Sequence, residues 1–559
     1  MPARRKRVAV FATEPVTEKV GGLGIRQLEC ARALSRRFDV RLLSTFAVGD
    51  HKEKFSVIEL PDYRPHSVEA QVRWADVICT TRPDADFLRL VKTFKKPVAV
   101  DLFASLYFER LEDMRLRRMT PEQTSIHYSG MIEDLRRHLS LGDFFICASE
   151  RERDYYLGIL TNLGKLRPEI YRKDKQFLSI IAVVPFGIPK AEPKRGQSII
   201  RGKIPGVGKN DFLIVSSGSL WDWYDYETPI RAMARLKRSC PKVKLVYLGV
   251  KHPALKRMPK AYKKLVNLAE KHRVLGKNVF IHPEWIPYDR RERYLTEADA
   301  GLASFTDHIE NRFAFRIRVV DYLWGNLPVI TNPGNTLSEF IGQKGLGEVF
   351  PFGDDKVLAE KIKSLASRPG VLREIKKRIF KEKKAFHWES ILKPLVNFCS
   401  KPRKVSPIFD DNLFKLSFYD LNRLDVRRAV FLRSSPMWHS VEALSALRKV
   451  YPNAKIDVVV QPGVDVSPLG NGVNFIRLPK KKFTAQMARQ LFSGRNGRKH
   501  PAYDVVVCSF TDRNLSFYNN VIDFAAKIPA KRYLAFNDEY CFADIGPLCE
   551  AAKKRKKRK

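Results

Sequence analysis

An α/β protein built on doubly wound, mostly parallel sheets is what the sequence predicts, and three observations carry the prediction. Short β-branched apolar runs alternate with amphipathic helical stretches along most of the 559 residues. The alternation breaks and restarts twice, near residues 190 and 401, at loops rich in Pro, Lys and Gly. A chain of this length also exceeds a single hydrophobic core, and two to four units of roughly 150 residues each are expected. Together these give two tandem Rossmann-like domains followed by a third, smaller Rossmann-like α/β unit.

In the first unit, residues 1–190, the opening strand is VAVFAT at residues 8–13. The glycine turn GGLG, Gly21 to Gly24, then leads into IRQLECARALSRRF, whose Ile25, Leu28, Ala31 and Leu34 share one helical face. DVRLLS, DVICTT, PVAVDLF, DFFICAS and IIAVVPFGI supply further strands. The second unit, residues 191–400, restarts with DFLIVSSG and continues through VKLVYLGV, VFIHPEW, ADAGLAS, LPVITNPG and GEVFPFG before a long helical stretch. A linker at 401–424 follows. The third unit, 425–549, contains VRRAVFLRSS, the helix HSVEALSALRKVYP, and the strands KIDVVVQPG, YDVVVCSF and KRYLAFNDE. Residues 550–559 form a basic tail ending in KKRKKRK. Two such domains in tandem leave a cleft at the C-terminal edges of their sheets, where open α/β folds take ligands.

Composition narrows the classes of function. No apolar run approaches the roughly 18 residues that cross a bilayer, and the basic start MPARRKR leads into only a short apolar stretch. A cytoplasmic protein is expected. The eight cysteines are scattered without a C-x-x-C pair, which fits buried thiols in a reducing compartment and not zinc ligands or disulfides. Lys+Arg of 102 against Asp+Glu of 61 gives a net charge of +41. A field of that sign attracts sugar nucleotides, acidic glycans, anionic lipid headgroups and nucleic acid alike.

The densest run of chemistry-bearing residues is FTDHIENRFAFRIRVVDYLWGNLPVITNPGNTLSEF, residues 305–340. A glycosyl donor carries a diphosphate leaving group, a ribose diol and a sugar that gains positive charge, so its site needs cations, carboxylates and backbone donors together. Here Glu310 sits in a loop after a strand, Arg312, Arg316 and Arg318 flank the start of a helix, and Asp321 lies on that helix. The helix N-terminus adds free N–H groups suited to phosphate.

This window resembles the family-4, group 1 type of retaining glycosyltransferases with the GT-B fold. VVDYLWGNLPVI occupies the second half of that family's signature, which places Asp321 at the carboxylate that holds the donor ribose. The position of the family's first carboxylate is Phe313, and Glu310 is the candidate to replace it, within E-x-R-F-x-F-R-x-R-x-x-D. EPVTEKVGGLGIRQLECARAL, GDFFICASERERDYYLGIL, VVPFGIP, GSLWDWYD, LGVKHP, EWIPYDRRERYL and GLGEVF extend the resemblance over nearly all of residues 8–400.

By this resemblance Glu310, Arg316 and Arg318 are the catalytic candidates, and Asp321, Arg312, Gly218, Trp221, Ser338 and Glu339 contact the donor. Gly21, Gly22, Gly24, Asp101 and Glu109 lie on the acceptor side. The donor is a nucleotide sugar, the acceptor a glycan, lipid-linked or protein group, and no metal or other cofactor is expected. Peripheral contact with an anionic membrane is compatible with the charge, and nucleic acid is not the expected partner.

Two departures stand out. The Arg and Lys that grip the diphosphate in relatives are absent from GSLWDWYDYETPIRA, so Arg312, Arg316 or Arg318 has to supply that charge. Tyr107, in DLFASLYFERLE, stands where relatives carry a histidine. Duller roles remain open: GGLG as a plain tight turn, Ser338 as a helix cap, and Trp221 and Trp223 as packing residues. A rival reading keeps the fold as a catalytically silent, basic protein that binds nucleic acid or an anionic membrane. The third unit weakly resembles the N-terminal half of heptosyltransferase-like enzymes, and the nucleotide-binding half of that fold is absent.

Overall fold

The computed structural model describes residues 4–49, 52–60, 65–81, 87, 90–91, 93–103, 106–117, 119–253, 255, 257–405, 425–492, 502–510, 518–536 and 542–555. Two compact units result, residues 1–406 and 407–559.

The first unit holds two parallel sheets. In the first, β1 (Arg7–Ala12), β2 (Asp39–Ser44), β3 (Ser56–Glu59), β4 (Val77–Thr80), β5 (Val98–Asp101), β6 (Phe144–Cys147) and β7 (Ile181–Val183) run in the order β3-β2-β1-β4-β5-β6-β7. In the second, β8 (Phe212–Ser217), β9 (Val243–Leu248), β10 (Val279–His282), β11 (Ala300–Ala303), β12 (Val329–Thr331) and β13 (Gly347–Val349) run in the order β10-β9-β8-β11-β12-β13. Strand order reverses beside β1 in the first sheet and beside β8 in the second. Those reversals open the crevices in which doubly wound sheets bind ligands. Central strands such as β4, β6 and β11 are buried along their whole length, which is why they read as unbroken apolar runs.

Every strand expected from an apolar run is present. The edge strand β3, with sequence SVIE, was not foreseen, because a half-exposed edge needs no continuous apolar run.

The boundary drawn at residue 400 differs from the packing. From His387 onward the chain returns to the first sheet: Ile188 and His387 form a bridge, Trp388 packs edge-on against Phe186 at 5.0 Å, and Phe398 stacks on Phe144 at 5.0 Å. The expected linker begins in the same way, with the Val405 N–H donating to Asp143 Oδ1 at 2.7 Å. The remainder of that linker, residues 406–424, lies outside the described residues.

The second unit is one sheet formed by β14 (Arg428–Leu432), β15 (Lys455–Val460), β16 (Asn474–Arg477), β17 (Tyr503–Ser509), β18 (Ala530–Phe536) and β19 (Phe542–Asp544), in the order β16-β15-β14-β17-β18-β19. Only β19 pairs antiparallel. The edge strands β16 and β19 were again not foreseen. The expected basic tail starts later than residue 550, because a helix spans Gly546–Arg555 and seats Cys549 and Ala552 in the core. Residues 556–559 lie outside the described residues.

Candidate functional site

A cavity of about 400 Å³ opens at the strand reversal of the second sheet, between the two domains of the first unit. Its second-domain wall starts where β8 ends. Gly218 takes φ +88 there, a left-handed conformation that favours glycine, and donates its N–H to the Leu248 carbonyl at 2.8 Å. The guanidinium of Arg318 lies against this turn: Nη2 donates to the Ser219 carbonyl at 2.7 Å and would sit 3.6 Å from a Cβ placed at residue 218. Among the described residues no carboxylate stands within ion-pair distance of Arg318. Its charge faces the cavity without a counterion among the described residues.

The helix Ile317–Trp324 carries Arg318 and Asp321 to this wall, three residues apart and thus on one face. The Asp321 Oδ1 accepts from Arg291 Nε at 3.1 Å. Burial pushes the Asp321 carboxyl up, and the Arg291 charge works against that shift.

Arg316 also lines the cavity, but its charge is already matched. Nη1 and Nη2 donate to Glu310 Oε1 and Oε2 at 3.0 and 2.7 Å, Nη2 reaches Asn311 Oδ1 at 3.1 Å, and the guanidinium lies 4.1 Å from the Phe305 ring centroid. Glu310 is 1% exposed and does not line the cavity. Glu310 and Arg316, expected as separate catalytic groups, thus form one buried ion pair in the wall.

Arg312 is exposed on the short helix Ile309–Phe313 and does not reach the cavity. Phe313 stacks on Phe108 at 4.9 Å, so aromatic packing occupies the position of the family's first carboxylate. Ser338 completes a capping box with Asn335 at the start of the helix Thr336–Lys344, and Glu339 is paired with Arg151. Neither residue faces the cavity.

Trp221 does face it, stacked on Trp223 at 5.2 Å and 12° and beside His252 at 5.7 Å. Burial pushes the His252 imidazole down to about 4, so the ring is neutral at pH 7.

The first-domain wall is built on the glycine turn. A Cβ at Gly22 would meet Ile317 Cδ1 at 2.4 Å, and one at Gly21 would meet Glu14 Oε2 and His252 Nε2 at 2.6 Å. These glycines let the start of the helix Gly22–Ser35 approach the second domain. The Gly24 N–H donates to Glu14 Oε2 at 3.1 Å, and Glu14 and Glu109 line the cavity. Asp101 does not. It is held by the fully buried Arg26, at 2.6 Å from Nε and 3.1 Å from Nη2, while Arg26 also donates to the carbonyls of Val184 and Pro185.

Four residues that shape the site were not singled out from sequence. Arg26 anchors the first-domain wall, Arg291 holds Asp321, and Trp285 and Tyr288 join the domains. Trp285 Nε1 donates to the Val20 carbonyl at 3.2 Å, and the Tyr288 hydroxyl to Glu29 Oε1 at 3.1 Å. Their signal was faint: Arg291 stands in the charged run DRRER, and Arg26 beside the apolar Ile25. A second cavity, about 720 Å³, lies on the other side of Tyr224, beside Trp223 and His308.

Two facing Rossmann-like domains, with a crevice where the second sheet reverses, are the arrangement of the GT-B fold. Residues 201–383, within the second domain, match the family described as glycosyl transferases group 1. No curated protein sequence matches the chain. Among solved structures, sucrose-phosphate synthase from Thermosynechococcus elongatus is similar at 14% identity and TM-score 0.50, covering 71% of this chain and 99% of its own. Anabaena HepE in complex with UDP-glucose is similar at 14% identity and TM-score 0.51, covering 70% and 99%.

Proposed function

We propose that this glycosyltransferase moves a sugar from a nucleoside diphosphate donor, seated in the interdomain cavity, to a glycan, lipid-linked or protein acceptor with retention of anomeric configuration. The observation that carries the reading is the uncompensated Arg318 guanidinium beside the positive-φ turn at Gly218. A diphosphate there meets one full positive charge and the amide edge of the turn, in a site partly shielded from water where such contacts strengthen. Asp321 takes the ribose hydroxyls and Trp221 packs against the base. Arg316, with its charge matched by Glu310, lends N–H geometry and rigidity to the wall. That the fold neighbour HepE was solved with UDP-glucose supports a nucleoside diphosphate sugar as donor.

Arg318 takes over the work of the missing Arg and Lys pair, and the leaving diphosphate is stabilised by protein groups without a bound metal. An acceptor attached to lipid suits the charge of +41. No described helix is long and apolar enough to cross a membrane. Contact with a bilayer would be peripheral, and the helix Pro369–Glu382 offers exposed Arg373, Lys377 and Lys381 with the half-exposed Phe380.

Incubation of the full chain with a panel of nucleoside diphosphate sugars tests the reading. Slow donor hydrolysis, unaffected by EDTA and releasing the sugar with its donor configuration by proton NMR, is expected. No release from any donor contradicts the activity, inverted product contradicts retention, and loss of release in EDTA contradicts the metal-free step.

A further inference from the structure

We infer that Arg291 is a positioning residue that fixes the Asp321 carboxylate as an acceptor for the donor's ribose hydroxyls, and thereby selects a ribonucleotide over its 2′-deoxy counterpart. The inference rests on the reading that a nucleoside diphosphate sugar occupies the cavity.

Arg291 opens the helix Arg291–Leu295, which follows β10 and a short 3-10 turn at Tyr288–Arg290. Its guanidinium is constrained on every side. The Tyr288 ring centroid lies 3.8 Å from it and the Trp324 ring centroid 4.5 Å. Nη1 donates to the Tyr288 carbonyl at 2.9 Å and Nε to Asp321 Oδ1 at 3.1 Å. Stacking and two directed hydrogen bonds restrain this group. A carboxylate bound to so rigid a partner is itself held in one orientation.

Only Oδ1 of Asp321 accepts a hydrogen bond among the described residues, and Asp321 lines the cavity. One oxygen is thus engaged by the protein and the other is left for a ligand. An ionised carboxylate accepts and cannot donate, so it matches a hydroxyl pair and leaves a deoxy position unpaired. Arg291 Nη2 is buried without a hydrogen-bond partner, so the guanidinium keeps a donor in reserve behind the carboxylate.

The surroundings make Asp321 depend on this one cation. The other titratable groups acting on it are the phenols of Tyr288, on the segment after β10, and Tyr322, on its own helix; both are held neutral by burial. Burial alone drives the carboxyl upward and Arg291 is the charge that opposes it. Without Arg291 nothing opposes the upward push of burial on the carboxyl, and the hydrogen bond that orients it is lost.

Titration calorimetry of the full chain with UDP and with 2′-deoxy-UDP separates the possibilities, using Arg291→Met and Arg291→Lys. The wild-type chain is expected to prefer UDP by about tenfold or more, and the pH profile of its UDP affinity, which includes ionisation of the terminal phosphate of UDP itself, is the reference. In Arg291→Met the preference should fall to about twofold or less, and the UDP affinity should rise more steeply with pH than in wild type. Arg291→Lys should restore part of the preference and the wild-type profile, which simple loss of packing would not do. A methionine variant that keeps the wild-type preference and profile overturns the inference and leaves the donor reading intact. If that variant does not fold, a lysine variant identical to wild type in both readouts overturns it. Failure of the wild-type chain to bind UDP overturns both.

Discussion

Arg316 and Glu310 hold each other through two parallel hydrogen bonds, 3.0 and 2.7 Å, with both side chains buried. The pair forms because the chain breaks helix at Ala314–Arg316, between the helices Ile309–Phe313 and Ile317–Trp324, and folds residue 316 back over residue 310. Removing one partner leaves an uncompensated buried charge, which costs about 3–5 kcal/mol. Glu310→Ala should therefore lower the thermal unfolding midpoint as well as donor turnover, and Glu310→Ala with Arg316→Met should regain part of the lost midpoint. A Glu310→Ala chain as stable as wild type would show that the pair does not bear on folding.

Glu152 makes stability fall with rising pH. It is fully buried on the helix Glu150–Asn162; Oε2 accepts the Ala148 N–H at 2.6 Å and Oε1 has no hydrogen-bond partner. Burial pushes its carboxyl up to about 8, against an ordinary 4.5. Between those values the folded chain holds a proton that the unfolded chain has lost, so stability is greatest below the lower value and declines through the window, by at most about 1.4 kcal/mol per pH unit. Thermal midpoints of Glu152→Gln should decline less than those of wild type from about pH 5 to 8. Parallel profiles would exclude Glu152 as the source.

Gly301 sets the depth at which the site helix packs. A Cβ there would lie 2.3 Å from the Tyr322 ring, which is fixed at its hydroxyl by the Ser217 N–H at 2.9 Å and the Leu302 carbonyl at 3.1 Å. Gly301→Ala should cost roughly 1–3 kcal/mol through overpacking. Because Tyr322 shares its helix with Arg318 and Asp321, UDP affinity should fall too. Calorimetric unfolding and UDP titration of one preparation read both effects, and an unchanged pair of values would contradict the packing argument.

Much of the fold was legible because parallel central strands are buried on both faces and so appear as unbroken apolar runs. The edge strands β3 and β16 were not, since half-exposed residues carry no such signature, and β19 is only three residues long. Site residues divide the same way. Gly218, Trp221, Arg318 and Asp321 line the cavity. Glu310 and Arg316 were given separate roles because the resemblance offers each its own, and the break at Ala314 brings them together. Asp101 looked available until Arg26, 75 residues earlier, proved to hold it. Arg291 meets Asp321 across 30 residues, a pairing set by tertiary packing alone.

Titration calorimetry of UDP-glucose into the full chain and into Arg318→Ala tests the central claim most directly. Among the described residues Arg318 makes one hydrogen bond, to a carbonyl, and lies 5.0 Å from the Tyr224 ring centroid, so its loss should leave the unfolding midpoint close to wild type. The account predicts one-to-one binding by wild type and an affinity about 10–100-fold weaker in the variant, the range for a charge-assisted contact to phosphate. Equal affinity in the two chains would contradict it.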